Sequence, residues 1–204
     1  MTASTLIDRD AFRQRLATLT DEGQLSLGLG DLEDFKAVND KHGYATGDRL
    51  LELVSGYLQE RLPDDAVLCR IGGDEFACLL PGAAPEDALL TLEGIRSDLS
   101  ARKHDLGDVK LRVGIRFGVA SYPHHAEDAT DLLAAAEQAL VRAAKLGGDR
   151  VAIYVEDKMV MKSNYYPRAQ LDRLSRLAEQ AGRTEASLLR EALGELLDRN
   201  RSRL

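Results

Sequence analysis

No run of apolar residues in the 204-residue chain approaches the roughly 18 that would suggest a membrane span. The first residues also lack the charged-then-apolar profile of a secretory signal, so a cytoplasmic location and no membrane partner are expected. Cysteine is scarce. Cys69 and Cys78 flank a strand-turn-strand pattern and fit neither a disulfide framework nor a zinc-ligand spacing. Basic residues are in deficit, 27 Lys and Arg against 34 Asp and Glu for a net charge of −7, which at first argues against a nucleic-acid partner. The deficit is uneven. Residues 159–204 carry nine Lys/Arg against six Asp/Glu, a balance of +3, whereas 1–158 carry 18 against 28, a balance of −10. Such asymmetry points to different partners for the two parts. What remains, 44% apolar and 30% charged residues, is the balance of a globular chain long enough for one or two domains with a real core.

The pattern along the chain alternates helices and strands. Asp8 to about Leu19 reads as an amphipathic helix, and Gln24–Gly30 as a strand with Leu25, Leu27 and Leu29 alternating. A short helix from Leu32 to Asp40 and a longer one from Thr46 to Leu62 follow. Ala66–Ile71 and Phe76–Leu80 form a hairpin across Gly72-Gly73. Pro85–Arg102 is helical, Lys110–Tyr122 a long strand, Ala129–Leu146 a helix closed by Gly147-Gly148, and Val151–Val155 a last strand. This order predicts an α/β (α+β) sandwich with a central, mostly antiparallel sheet over residues 1–155. Residues 156–158 read as a polar link. Residues 159–204 read as a strand, Met159–Tyr166, and two helices, Arg168–Ala181 after Pro167 and Glu185–Asp198 after Thr184. A core that thin needs a partner copy.

The string richest in chemistry is Arg70-Ile71-Gly72-Gly73-Asp74-Glu75-Phe76. Two glycines let the backbone turn tightly and approach a ligand, and the adjacent carboxylates suit a hard cation. Asp31-Leu32-Glu33-Asp34 ends the first strand, which a βαββ order lays beside the hairpin, bringing Asp31 to Asp74. Paired carboxylates holding Mg²⁺ against triphosphate oxygens are what phosphoryl transfer requires. A Gly-Gly-Asp turn on its own is also an ordinary hairpin turn.

The surrounding residues favour the chemical reading. With Gly72–Phe76 intact, Asp31–Gly43, Gly47-Asp48, Leu51, Gly118–Pro123 and the helix Leu132–Ala144 in register, residues 6–155 resemble the GGDEF family of diguanylate cyclases. The resemblance implies a palm-like sandwich and a Mg²⁺-dependent enzyme (Mn²⁺ being an alternative) that joins two GTP molecules into cyclic di-GMP, each 3′-oxygen attacking the other's α-phosphorus. It assigns the metal to Asp31, the Leu32 carbonyl and Asp74, and either metal support or the proton of the attacking hydroxyl to Glu75. It sets Asn39 and Asp48 against the guanine edge, Lys36 and the amides near Asp34-Phe35 against the triphosphate, and the nucleotide over Gly72 and Gly73. Because each domain holds one GTP, two must meet face to face.

Several positions depart from that pattern. The Lys and Arg that the family carries near the end of the last helix fall on Ala144 and Gly148 here. Lys145 and Arg150 lie close by in sequence, and Lys145 is the candidate substitute. Losing two phosphate cations weakens triphosphate binding by a few kcal/mol, at roughly 1.5–3 kcal/mol per charged hydrogen bond. Pro63-Asp64-Asp65-Ala66 stands where the product-inhibition motif would be, so feedback through it is not expected. Glu33 replaces a second Asp. The turn that normally precedes Leu6-Ile7-Asp8-Arg9 is absent, so no coupling to an upstream sensor is expected. The alternative to an enzyme is a domain that senses GTP or cyclic di-GMP with little catalysis.

Residues 159–198 resemble ribbon-helix-helix transcription regulators, through Tyr166-Pro167, Leu171, Leu174, Leu177, Ala178 and Gly182–Leu193. The resemblance implies a two-stranded ribbon in the major groove of double-stranded DNA and a phosphate at the second helix, where Arg183 and Thr184 stand. One register turns Lys162, Asn164 and Tyr166 to DNA, and the other Met161, Ser163 and Tyr165. The first is preferred because Lys and Asn read bases and make poor core residues. The alternative is a helical dimerisation hairpin that never meets DNA. Either way a homodimer or higher even oligomer is expected, and its two-fold pairing suits the cyclase reaction.

Overall fold

The computed structural model describes residues 5–155, 165–181 and 184–200. The chain divides into two compact units, Met1–Asp157 and Lys158–Leu204.

Leucines at alternate positions of β2 (Leu25–Leu32) make it an apolar strand buried on both faces. It pairs antiparallel with β4 (Glu75–Pro81) and with β7 (Ile115–Tyr122). Outward from β4 lie β3 (Val67–Arg70), antiparallel, and β1 (Thr5–Ile7), parallel; β8 (Val151–Ile153) closes the other edge, parallel to β7. The sheet order is β1-β3-β4-β2-β7-β8, and three of its five pairings are antiparallel. On one face pack α3 (Tyr44–Arg61) and α4 (Pro85–Ala101) through Leu50, Val54, Leu58, Leu92 and Leu99. On the other pack α1 (Arg9–Glu22) and α5 (Ala129–Lys145) through Phe12, Leu16, Leu132, Ala135 and Ala136. A short α2 (Phe35–His42) links β2 to α3.

The expected sandwich is therefore present, with two corrections. The strand expected over Lys110–Tyr122 breaks at Val113-Gly114. Its first part, β6 (Lys110–Arg112), leaves the main sheet and pairs with β5 (Lys103–Asp105) in a separate small hairpin. The alternating Leu111, Val113, Ile115 and Phe117 carry a strand period across a point where the chain changes sheet. The three-residue β1 is additional, too short for periodicity to reveal. Cys69 and Cys78 are free and buried. They belong to opposite cores, Cys78 beneath α3 and α4 and Cys69 beneath α1, so the sheet itself separates the two thiols.

In the second unit α6 (Arg168–Ala181) and α7 (Glu185–Arg199) stand where the sequence predicts helices. The Ser175 hydroxyl donates to the Glu185 carboxylate, tying one helix to the other. Leu171, Leu177, Leu189, Leu193, Leu196 and Leu197 are all exposed. The expected strand over 159–166 lies outside the described residues except for Tyr165 and Tyr166, which carry no regular structure.

Candidate functional site

Three neighbouring strands bring the acidic and basic groups together. Register sets Asp31 of β2 opposite Glu75 of β4 and, on its other side, opposite Arg116 of β7. Side chains directly opposite on adjacent strands share a face, so Glu75, Asp31 and Arg116 form one row. The turn before Glu75 closes back on that residue, whose carbonyl accepts from Ile71 N at 3.0 Å and Gly72 N at 3.4 Å. Arg70 Nε donates to the Gly73 carbonyl at 2.9 Å, so Arg70 braces the turn. Leu32 N donates to the Asp74 carbonyl at 3.2 Å, which docks the turn against the end of β2. A methyl on Gly72 would stand 2.6 Å from Glu75 Oε2, whereas one on Gly73 would meet nothing within 4 Å. Gly72 is filled over by Glu75, and Gly73 faces open space.

Arg116 governs the charge balance of this row. Its guanidinium forks, one nitrogen donating to Asp31 Oδ2 and the other to Glu33 Oε1 at 3.0 Å. Burial pushes the Asp31 carboxyl up from its ordinary value; Arg116 opposes that, and the carboxylates of Asp74 and Glu75 add to it. All three acidic groups therefore lie within electrostatic reach of one another. Glu33 is held from a second direction, Asp149 N donating to its Oε1 at 3.1 Å. Asp149 lies in the left-handed region, at φ 34, and pairs at 3.0 Å with Arg96 of α4. Arg96 also grips Glu93 with two bonds of 2.6 and 2.8 Å. A methyl on Gly148 would stand 2.7–2.9 Å from the Glu33 carboxylate. The longer acid at 33 and the bare residue at 148 thus fit each other.

Beyond β2 the chain turns at Asp34, itself left-handed at φ 53, and α2 begins. Val38 N makes a helical bond to the Asp34 carbonyl at 3.0 Å, and the amides of the preceding first turn have no carbonyl behind them to accept. Phe35 packs partly against the core, and Lys36 is exposed. Asn39, near the end of α2, lies against Gly47 of α3, where a methyl would stand 1.9 Å from Asn39 Oδ1. That oxygen is buried and has no hydrogen-bond partner. Asp48 follows Gly47 and is exposed.

Among the described residues, no three His, Cys, Asp or Glu side chains converge as a closed metal cage. The donor chemistry at Asp31, Leu32 and Asp74 still fits Mg²⁺, which favours hard oxygens, keeps several waters and takes only one or two carboxylates alongside substrate phosphates. Lys145 stands exposed in the last turn of α5 and is not among the side chains that meet at Asp31. Lys162, Asn164 and Arg183 lie outside the described residues; Tyr166 and Thr184 are exposed, Thr184 just before α7. Arg116 escaped the sequence reading. Its signal is a lone charge inside an apolar strand, which requires a partner once β7 is paired with β2.

The fold and its hairpin place the first unit in the mixed α/β, palm-like class. The family described as diguanylate cyclase, GGDEF domain, matches residues 2–153, and the chain belongs to it. It is 32% identical over 133 residues to the diguanylate cyclase DgcP of Pseudomonas aeruginosa, covering 65% of this chain and 20% of that protein. It is 33% identical over 158 residues to the cyclic di-GMP phosphodiesterase PdeB of Shewanella oneidensis, covering 75% and 18%. This chain thus spans about a fifth of each of these relatives. Among solved structures, the GGDEF domain of PA1120 (YfiN or TpbB) from P. aeruginosa superposes with a TM-score of 0.71 at 29% identity, over 74% of this chain and 98% of that one. The GGDEF domain of DgcB from Caulobacter crescentus, solved in complex with c-di-GMP, gives 0.68 at 27% identity, over 74% and 92%. Among the described residues no helix is long and apolar enough to cross a membrane.

Proposed function

We propose that the first unit is a diguanylate cyclase that condenses two GTP into cyclic di-GMP and two pyrophosphates. The observation that carries the reading is the meeting of Asp31 with the Gly72–Phe76 turn, where Leu32 N bonds the Asp74 carbonyl and Asp31 lies in the field of Asp74 and Glu75. Asp31, the Leu32 carbonyl and Asp74 are the groups that would hold Mg²⁺. When bound, the cation neutralises phosphate charge and draws electron density from the α-phosphorus. Glu75, beside Asp31, supports that set or takes the proton of the attacking 3′-hydroxyl. The orphaned Oδ1 of Asn39 costs about 1–3 kcal/mol while unpaired; a guanine N–H removes that cost, and Asp48 reads the neighbouring donors. Lys36 and the first-turn amides of α2, after Asp34 and Phe35, face the triphosphate. Gly73, which faces open space, lets the nucleotide lie on the turn while Glu75 covers Gly72, and Lys145 supplies a distal charge.

For the second unit the proposal is a ribbon-helix-helix module that dimerises the chain and binds double-stranded DNA. It rests on two amphipathic helices with exposed leucines and on the basic balance of 159–204. Lys162, Asn164 and Tyr166 read bases, while Arg183 and Thr184 hold a phosphate. The specific observation favouring a sensor over an enzyme is Arg116 seated on Asp31, together with Ala144 and Gly148 where the family has cations. Incubating the protein with GTP and Mg²⁺ decides between them. Cyclic di-GMP from the wild type and none from Asp74→Ala supports the cyclase. Absence of turnover, with operator binding that responds to nucleotide, supports the sensor.

A further inference from the structure

Resting on the reading that Asp31 holds a divalent cation, we propose that Arg116 is a built-in competitor for that carboxylate. Its guanidinium contacts Asp31 Oδ2, and cation binding requires Arg116 to release Asp31 while Glu33 retains it.

Three features of the site support this. First, the two contacts of the fork go to different acids, so one can break while the other remains. Second, Glu33 is an anchor in its own right. Asp149 N bonds the same carboxylate at 3.1 Å, and Asp149 is tethered at 3.0 Å to Arg96 of α4. Gly148 leaves room for the Glu33 head, since even a methyl there would come within 2.7 Å of it. Third, the Arg116 and Asp31 side chains retain only 25% and 17% of their exposure, so water does not screen the contact away. A guanidinium keeps its proton at any working pH, offers no lone pair to a metal and is well shaped to hold carboxylates. It therefore competes with a cation for Asp31 and cannot join it as a ligand.

Mn²⁺ binding to the nucleotide-free full chain, measured by electron paramagnetic resonance, tests this without turnover. Arg116→Gln is expected to bind Mn²⁺ at least about tenfold more tightly than the wild type, the worth of one charge-assisted hydrogen bond. Arg112→Gln removes a charge from β6, which lies outside the main sheet and away from Asp31, and is expected to change affinity by less than about threefold. Equal or weaker binding in Arg116→Gln, the same gain in Arg112→Gln, or no binding in either wild type or Arg116→Gln overturns the proposal. A second readout needs no variant. Mg²⁺ titration of the wild type, followed by side-chain nitrogen NMR, is expected to shift the Arg116 Nε signal, and an unmoved signal overturns the proposal. Cyclic di-GMP production by the wild type with unchanged Mn²⁺ affinity in Arg116→Gln defeats this inference alone. Tighter Mn²⁺ binding in Arg116→Gln with no turnover in the wild type sustains it and defeats only the cyclase reading.

Discussion

Gly47 and Gly73 are both small, yet substitution of each should read out differently. At Gly47 an added methyl collides with Asn39 Oδ1 at 1.9 Å, so Gly47→Ala must drive that amide aside. The expected result is a small change in stability, because the atom in the way ends a flexible side chain and alanine suits a helix interior better than glycine, and a fall in GTP affinity of about tenfold or more as one base-reading group moves. Thermal denaturation and nucleotide titration measure the two effects. Gly73→Ala meets open space and should leave stability within about 0.5 kcal/mol, as for most surface changes. The thiols make a second test at this scale. Complete burial pushes Cys78 up to about 12, and burial raises Cys69 as well. A thiolate is the reactive form, so neither should label with a thiol reagent at pH 8 until the protein is denatured. Rapid native labelling of either would contradict the two-sided burial of the sheet.

At the scale of elements, α5 packs tightly on β7. A methyl on Gly118 would fall 2.1 Å from Leu140 N and 2.4 Å from the Ala136 carbonyl, both backbone atoms that cannot rotate away. Gly118→Ala should therefore cost 3 kcal/mol or more, beyond the roughly 1–3 kcal/mol of ordinary overpacking, and denaturant unfolding would show it. The link from β7 to α5 carries a pH dependence. His125 Nδ1 accepts from Ser121 N at 3.0 Å, and burial holds its pKa below the ordinary value, with His124 adding to the effect. A depressed folded pKa means that the unfolded chain takes the proton first, so stability is full above the ordinary value near 6.5 and falls as pH drops below it. His125→Gln should flatten the dependence of Tm on pH between 7 and 5. Elements also mark how far the sequence can be read. The acidic turn at Gly72–Phe76 and the end of β2 are legible because glycine and carboxylate chemistry is local. Arg116 is not, because its meaning depends on β7 lying beside β2 in one register, a contact between residues 85 apart. The break at Val113-Gly114 is hidden for a related reason. It serves Glu33, whose N–H bonds the Gly114 carbonyl at 2.9 Å from a distant strand.

At the scale of the whole molecule, the net charge of −7 combines an acidic GGDEF unit with a basic tail. Two-fold pairing of the tail would raise the local concentration of the partner cyclase unit, because a tethered encounter replaces a free one. Leu193 is 56% exposed on α7, and Leu193→Asp should dissociate the proposed dimer. Sedimentation should then report a monomer, and cyclic di-GMP formation per molecule should drop steeply at submicromolar protein while recovering at high concentration. A rate indifferent to both the substitution and the protein concentration would contradict the coupling. If DNA changes nucleotide affinity, nucleotide must change DNA affinity by the same factor. Following the fate of GTP by mass spectrometry tests the proposed reaction. With residues 1–204 and Mg²⁺, one cyclic di-GMP and two pyrophosphates are expected for every two GTP consumed. GTP recovered intact, or converted only to GDP and phosphate, would contradict it.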